Sequence, residues 1–263
     1  MKNILISTLK ILSLSLIGII LYLYGYLYFK QDSLLFYNKN IPKKHSNILK
    51  YENVQEVYFT TKDGRNLNGI LYKNGDNLPT AIYFGGNGED ALNFIEIAKE
   101  IEGYNFLVFN YRGYGLSEGE PSKEKILRDT KEIYDRFLDK KSVAIGRSLG
   151  SSVATYLASQ KKIKKLIIIT PFDSIQSMGE DIFKIPLSPI LRHNFNTIEY
   201  IKNVSTPVFM LVASRDEIVS KKHSDSLKRE IENLVIYREV MGTHNLIPFG
   251  KEVKFLRDAL SEN

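Results

Sequence analysis

Ser142-Val143-Ala144-Ile145-Gly146-Arg147-Ser148-Leu149-Gly150-Ser151-Ser152 is the stretch on which the fold turns. An apolar run of strand character, Lys141 to Ile145, meets a Gly-x-Ser-x-Gly pattern. It continues into a small-residue helix, Leu149 to Gln160, with Leu149, Val153, Tyr156 and Leu157 on one side. A serine held on a tight strand-to-helix turn is a nucleophile elbow. Glycines at 146 and 150 answer a steric demand, because side chains there would strike the neighbouring backbone as the turn tightens. The pattern has only three fixed positions, so a plain βα turn with a bystander serine is the alternative. The partners elsewhere in the chain decide between the two.

Outward from the elbow, apolar runs and helical periodicities alternate. Val54 to Thr60 and Asn66 to Lys73 read as strands joined at Asp63-Gly64, a hairpin signal, so the sheet begins antiparallel. Thr80 to Phe84, Phe106 to Asn110, Lys165 to Thr170, Pro207 to Ala213 and Leu234 to Tyr237 supply further strands. Helices are predicted over Glu89 to Ile101, Ser122 to Leu138 with Ser122 as N-cap, Lys222 to Ile231 and Lys251 to Ala259. Strand–helix alternation of this kind predicts an α/β fold: a mostly parallel sheet with helices on both faces. Ligands then bind beyond the carboxyl ends of the strands.

A serine hydroxyl needs a base, and the chain has four histidines. His244, in Met241-Gly242-Thr243-His244-Asn245, follows the last strand and is the candidate. His45, His193 and His223 read as surface residues. A carboxylate must orient the base. Asp216 in Ser214-Arg215-Asp216-Glu217 follows a strand, with Glu217 one residue out of position and Asp173 as the fallback. The order Ser148, Asp216, His244 is that of α/β-hydrolase triads. Oxyanion donors are expected from the Leu149 backbone and from Gly85-Gly86-Asn87-Gly88, with Asn87 chosen and Gly86 placed beside the substrate.

Composition bounds the rest. The 263 residues are 43% hydrophobic and 25% charged, enough for one full core. There is no cysteine, hence no disulfide framework and no cysteine metal site. The net charge of +6 is spread over scattered lysine pairs such as Lys140-Lys141 and Lys164-Lys165, which suits a solvated surface better than nucleic-acid binding. Ile11 to Phe29 carries no charge, is long enough to span a bilayer, and has Tyr22, Tyr24, Tyr26 and Tyr28 in its C-terminal half. No Ala-x-Ala-like cleavage site follows, which favours an uncleaved anchor. The expected organisation is an anchor over 1–30, a juxtamembrane connector over 31–51 and a catalytic domain over 52–263 with a short cap near 174–206. The lysines on either side of the span leave open which side of the membrane the domain occupies.

With these residues assembled, the chain resembles the α/β-hydrolase superfamily, and within it the membrane-anchored branch of Bem46-like proteins and α/β-hydrolase-domain 13 and 17 types. The carriers are Tyr83-Phe84-Gly85-Gly86-Asn87-Gly88, Asn110-Tyr111-Arg112-Gly113-Tyr114-Gly115-Leu116-Ser117-Glu118-Gly119, the elbow, Thr170-Pro171-Phe172-Asp173-Ser174, Ser214-Arg215-Asp216-Glu217-Ile218-Val219 and Gly242-Thr243-His244-Asn245. The resemblance implies a Ser148–Asp216–His244 triad, an oxyanion hole at Asn87 and Leu149, and no cofactor. Relatives usually carry histidine where Gly85 stands. The Tyr111–Gly115 segment reads as a structural loop, with Arg112 as a secondary candidate for substrate contact.

The expected function is therefore a membrane-anchored serine hydrolase that cleaves an ester, thioester or amide through an acyl-serine. Ile182, Phe183, Ile185, Leu187 and Ile190 offer an apolar wall suited to a lipid-derived acyl chain. The alternatives are an inactive membrane scaffold of the same fold, or a serine peptidase.

Overall fold

The computed structural model describes residues 2–42 and 47–262. An N-terminal helix, α1 (Lys2–Leu35), leads through two short 3-10 turns into an α/β unit. The strands of that unit are β1 (Val54–Thr60), β2 (Asn66–Tyr72), β3 (Thr80–Phe84), β4 (Asn105–Phe109), β5 (Val143–Arg147), β6 (Lys165–Ile169), β7 (Val208–Ala213) and β8 (Leu234–Val240). Between and after them lie α2 (Ile95–Ala98), α3 (Lys123–Phe137), α4 (Leu149–Gln160), α5 (Ile175–Phe183), α6 (Thr197–Ile201), α7 (Lys221–Arg229) and α8 (Phe249–Ser261). The eight strands form one sheet in the order β1-β2-β4-β3-β5-β6-β7-β8. β1 and β2 pair antiparallel, β2 meets β4 antiparallel, and every pairing from β4 across to β8 is parallel.

The central strands are buried on both faces, and the period of two decides which side chain goes where. Ala144, Leu166, Ile168, Val208, Met210 and Val212 face one core with Leu149, Val153 and Leu157 of α4. Val143, Ile145, Ile167, Ile169, Phe209 and Leu211 face the other, with Phe255, Leu256 and Ala259 of α8. The hairpin at Asp63-Gly64 forms as expected, with Gly64 at φ 76°. Ser122 caps α3 by accepting the Lys125 N–H at 3.3 Å.

Three expectations change. The helix predicted over Glu89 to Ile101 is only a 3-10 turn (Ala91–Phe94) followed by one turn of α2, because Asp90 and Asn110 side chains hold the chain at its start. Lys165 is a buried residue and not part of a solvated pair. Its Nζ donates to the carbonyls of Ala259 at 2.9 Å and Leu260 at 2.8 Å, and also to that of Glu262, covering the open end of α8. Burial, with Lys164 nearby, pulls its ammonium down to about 8. His193 and His223 are likewise buried, the first beside Asp32 and the second beside Asp173. His45 lies outside the described residues.

α1 is 34 residues long, about 51 Å at 1.5 Å per residue, against a hydrocarbon core of about 30 Å. Ile4, Leu14, Leu21 and Phe29 all point away from protein. The helix is long and apolar enough to cross a membrane, consistent with a single-pass anchor. It also runs unbroken through Gln31–Leu35, and its last turns pack on the segment between α5 and α6. Gln31 Nε2 donates to the Ile190 carbonyl at 3.0 Å, and the Tyr24 hydroxyl donates to that of Pro186 at 2.7 Å.

Candidate active site

Ser148 sits between β5 and α4 with φ 51° and ψ −117°, a backbone conformation that L-residues avoid and that a packed surround must impose. The surround is visible at the two glycines. A Cβ at Gly146 would run into the Gly150 carbonyl, and one at Gly150 into the Phe84 carbonyl, so neither position admits a side chain. The turn projects the Ser148 hydroxyl toward the carboxyl ends of the strands.

The loops after β7 and β8 bring two partners to it. His244 Nε2 lies 2.8 Å from Ser148 Oγ, and His244 Nδ1 lies 2.8 Å from Asp216 Oδ2 and 2.9 Å from Oδ1. With Nδ1 facing a carboxylate, its proton stays there and Nε2 is left to accept the serine hydroxyl. Asp216 also accepts the N–H groups of Ile218 at 3.0 Å and Val219 at 2.7 Å, which fixes the carboxylate. Glu217 accepts the His244 backbone N–H at 3.0 Å and so positions the histidine loop. His244 is 3% exposed, so the pair sits out of bulk water, where its electrostatics are strong.

A second Ser–His–Asp group lies nearby. Ser177 Oγ is 3.3 Å and Asp173 Oδ1 is 3.0 Å from His223, but both approach the same ring nitrogen, Nδ1. His223 Nε2 faces Asp181 at 2.9 Å. A proton relay needs serine and carboxylate on opposite nitrogens. Asp173, just before α5, and Asp181 within it instead hold His223 and join this segment to α7.

The loop after β3 lies against the elbow, with Gly86 beside Ser148. The Gly86 N–H is committed to Glu89 Oε2 at 2.6 Å. The backbone N–H groups of Asn87 and Leu149 have no hydrogen-bond partner among the described residues. Asn87 Oδ1 accepts the Tyr37 backbone N–H at 2.9 Å and the Tyr114 hydroxyl at 3.1 Å. A Cβ at Gly85 would press within 2.9 Å of Ala91 Cβ, so the loop is built around its absence.

Beneath the loop lies a buried ionic cluster that the linear sequence did not reveal. Glu89 accepts the Tyr83 hydroxyl at 2.8 Å, and Arg147, the residue before Ser148, pairs with Glu252 of α8. Burial pushes the Glu89 carboxyl up, against the pull of Arg147 and the Gly86 N–H. Burial also works against the Arg147 charge, but Tyr83, Glu252 and Glu89 outweigh it and hold the guanidinium above its ordinary value. The one sequence signal was Glu89 three residues after Gly86.

Arg112 does not reach the site. It is 1% exposed, bidentate to Asp129 at 2.7 and 2.5 Å and to Asp63 at 3.0 and 3.2 Å, and ties the β1–β2 hairpin to α3.

A cavity of about 310 Å³ opens over Ser148, Leu149 and Asn87. Ile182, Phe183, Leu187 and Ile190 line it as expected, and Ile185 does not. The opposite wall is α1 itself, through Leu27, Gln31, Leu34 and Leu35.

Residues 79–187 match the alpha/beta hydrolase fold family. The chain has the alpha/beta-hydrolase superfamily fold. An uncharacterized Mycobacterium tuberculosis protein is 30% identical over 184 residues, and the match takes in 66% of each chain, so this chain spans about two thirds of that relative's length. Protein bem46 of Schizosaccharomyces pombe is 27% identical over 240 residues, covering 81% of this chain and 79% of that one. Among solved structures, the Pyrococcus furiosus esterase Pf2001 superposes with a TM-score of 0.64 at 23% identity, over 83% of this chain and 96% of that one. In this hydrolase fold, a Ser–His–Asp arrangement at the strand ends is that of a serine-hydrolase active site.

Proposed function

We propose that the chain is a membrane-anchored serine hydrolase of the Bem46-like branch, with Ser148 as nucleophile, His244 as general base and acid, and Asp216 as its orienting carboxylate. The observation that carries this reading is the 2.8 Å contact of His244 Nε2 with Ser148 Oγ, with Asp216 2.8 Å from the other ring nitrogen. Ser148 Oγ attacks the acyl carbonyl while His244 Nε2 takes its proton. Asp216 stabilises the imidazolium that results. The N–H groups of Leu149 and Asn87 receive the oxyanion of the tetrahedral intermediate. His244 returns the proton to the leaving alcohol, thiol or amine. Water, activated by the same imidazole, then releases the acid from the acyl-serine.

The substrate is an ester, thioester or amide whose acyl part is lipid-derived. The apolar cavity over Ser148 supports this choice, as does the attachment to a helix long enough to cross a bilayer. Similarity in fold to the Pyrococcus furiosus esterase Pf2001 supports ester over peptide cleavage.

A p-nitrophenyl ester series of graded chain length tests the reading, with aminoacyl p-nitroanilides as the peptidase comparison. Wild-type protein is expected to hydrolyse the esters. Ser148→Ala should abolish turnover, and His244→Ala and Asp216→Asn should each lower kcat by about 10³-fold or more. Turnover that survives Ser148→Ala contradicts the assignment. A folded wild-type chain inert to every ester and amide supports a scaffold instead.

A further inference from the structure

The cavity wall supplied by α1 assigns the anchor helix a role beyond tethering. Leu27, Gln31, Leu34 and Leu35 recur at helical spacing and form one stripe turned toward Ser148. The stripe is fastened at several points. Arg192 N–H donates to Gln31 Oε1 at 2.7 Å, Asp32 lies 2.8 Å from Arg192 Nη2 and 2.7 Å from His193 Nε2, and the Phe36 ring packs edge-on against His193 at 5.3 Å. A helix serving only as a tether needs no such fit.

Length places this wall relative to the bilayer. Counting about 20 residues for the hydrocarbon core from Ile11, the helix leaves it near Phe29. Leu27 then stands at the boundary, and Gln31, Leu34 and Leu35 stand just beyond it. The cap meets α1 across this boundary, from the Tyr24 hydroxyl at the Pro186 carbonyl to the Gln31 amide at the Ile190 carbonyl. Ile182 (67% exposed) and Ile218 (48% exposed) line the cavity and still face outward, as an opening onto lipid requires.

We propose that the acyl chain of the substrate leaves the membrane leaflet directly between α1 and the cap, and that Leu27, Leu34 and Leu35 are specificity-determining residues for a long acyl chain. This rests on the serine-hydrolase reading above. The occupant is a lipid acyl chain from the bilayer in which α1 sits. Its methylenes pass from hydrocarbon to the apolar cavity without crossing water, while the carbonyl stays at headgroup level beside Ser148.

The test uses the full chain in phosphatidylcholine vesicles and two alkyl fluorophosphonates, one ethyl and one hexadecyl with a diazirine at its tail. The hexadecyl probe is expected to label Ser148 at least tenfold faster than the ethyl probe. After illumination its tail should cross-link to residues 27–35. Leu27→Trp, which narrows the channel, is expected to lower the hexadecyl-to-ethyl rate ratio at least tenfold. Ethyl labelling without hexadecyl preference overturns the inference and leaves the hydrolase reading standing. So does a tail that cross-links only outside residues 27–35, a result independent of any variant's folding. Failure of both probes to label Ser148 overturns the hydrolase reading itself.

Discussion

The Tyr37 backbone N–H donates to the Asn87 side-chain oxygen at 2.9 Å, so the polypeptide that has just left the membrane helix is bonded to the loop facing Ser148. The Tyr114 hydroxyl, from the segment after β4, shares the same acceptor at 3.1 Å. A residue proposed for its backbone N–H is thus held by its side chain from two directions. Oxyanion stabilisation depends on donors fixed before the charge develops.

Asn87→Ala removes that acceptor while leaving the backbone N–H in place. We expect kcat to fall about 10- to 100-fold with KM little changed, as for a donor displaced by a fraction of an ångström. Asn87→Asp, which keeps the acceptor, should recover most of the loss. Steady-state ester hydrolysis by the three proteins checks this.

The buried cluster under the elbow makes a stability prediction. Arg147→Met leaves Glu252 and Glu89 without their buried counter-charge and is expected to destabilise the fold by about 3–5 kcal/mol. Glu89→Gln keeps an acceptor for the Gly86 N–H and sheds a carboxylate that burial disfavours. It should therefore cost less than Glu89→Ala, in stability and in kcat alike. Denaturant unfolding read beside initial rates separates the two effects.

Much of this was legible in the chain, for definable reasons. Local rules read the elbow, because Gly-x-Ser-x-Gly after an apolar run states its own sterics. The strands of the parallel sheet could be read because burial on both faces makes continuous apolar runs such as Leu166–Ile169. The three members proposed for the triad each follow a strand, and parallel topology gathers strand ends. Long-range pairing was not legible. His223 looked like one exposed position on a lysine-flanked helix, yet Asp173 and Asp181 bury it from another element. Lys165 looked solvated, yet it covers a helix end 94 residues away in sequence. The hydropathy of 11–29 marks where a span can lie, but says nothing of the six further residues over which α1 continues to wall the cavity.

Arg112 separates structure from catalysis. Its Asp63 partner is held well below the usual carboxylate range by hydrogen bonds from Arg112 and Thr61. A depressed carboxyl contributes stability that is full above its unfolded value of about 4 and is lost as pH falls toward the folded one. Asp63→Asn should therefore lower Tm at pH 7, and the gap to wild type should close as pH falls below about 4. Arg112→Lys, which cannot span both carboxylates, should lower Tm while leaving KM for esters unchanged.

Ser177 gives the sharpest contrast with Ser148, the proposed nucleophile. It shares His223 Nδ1 with Asp173, so no relay passes through it. Ser177→Ala is expected to retain wild-type kcat within about twofold, since no transition-state contact is removed.

The most direct measurement is to trap the covalent intermediate. The full chain is mixed with p-nitrophenyl butyrate, quenched in acid within one turnover, digested and mapped by mass spectrometry. Butyryl is expected on the peptide carrying Ser148, accumulating in step with the nitrophenol burst and absent from Ser148→Ala. Butyryl on Ser177, or nitrophenol release with Ser148 unmodified throughout, would contradict it.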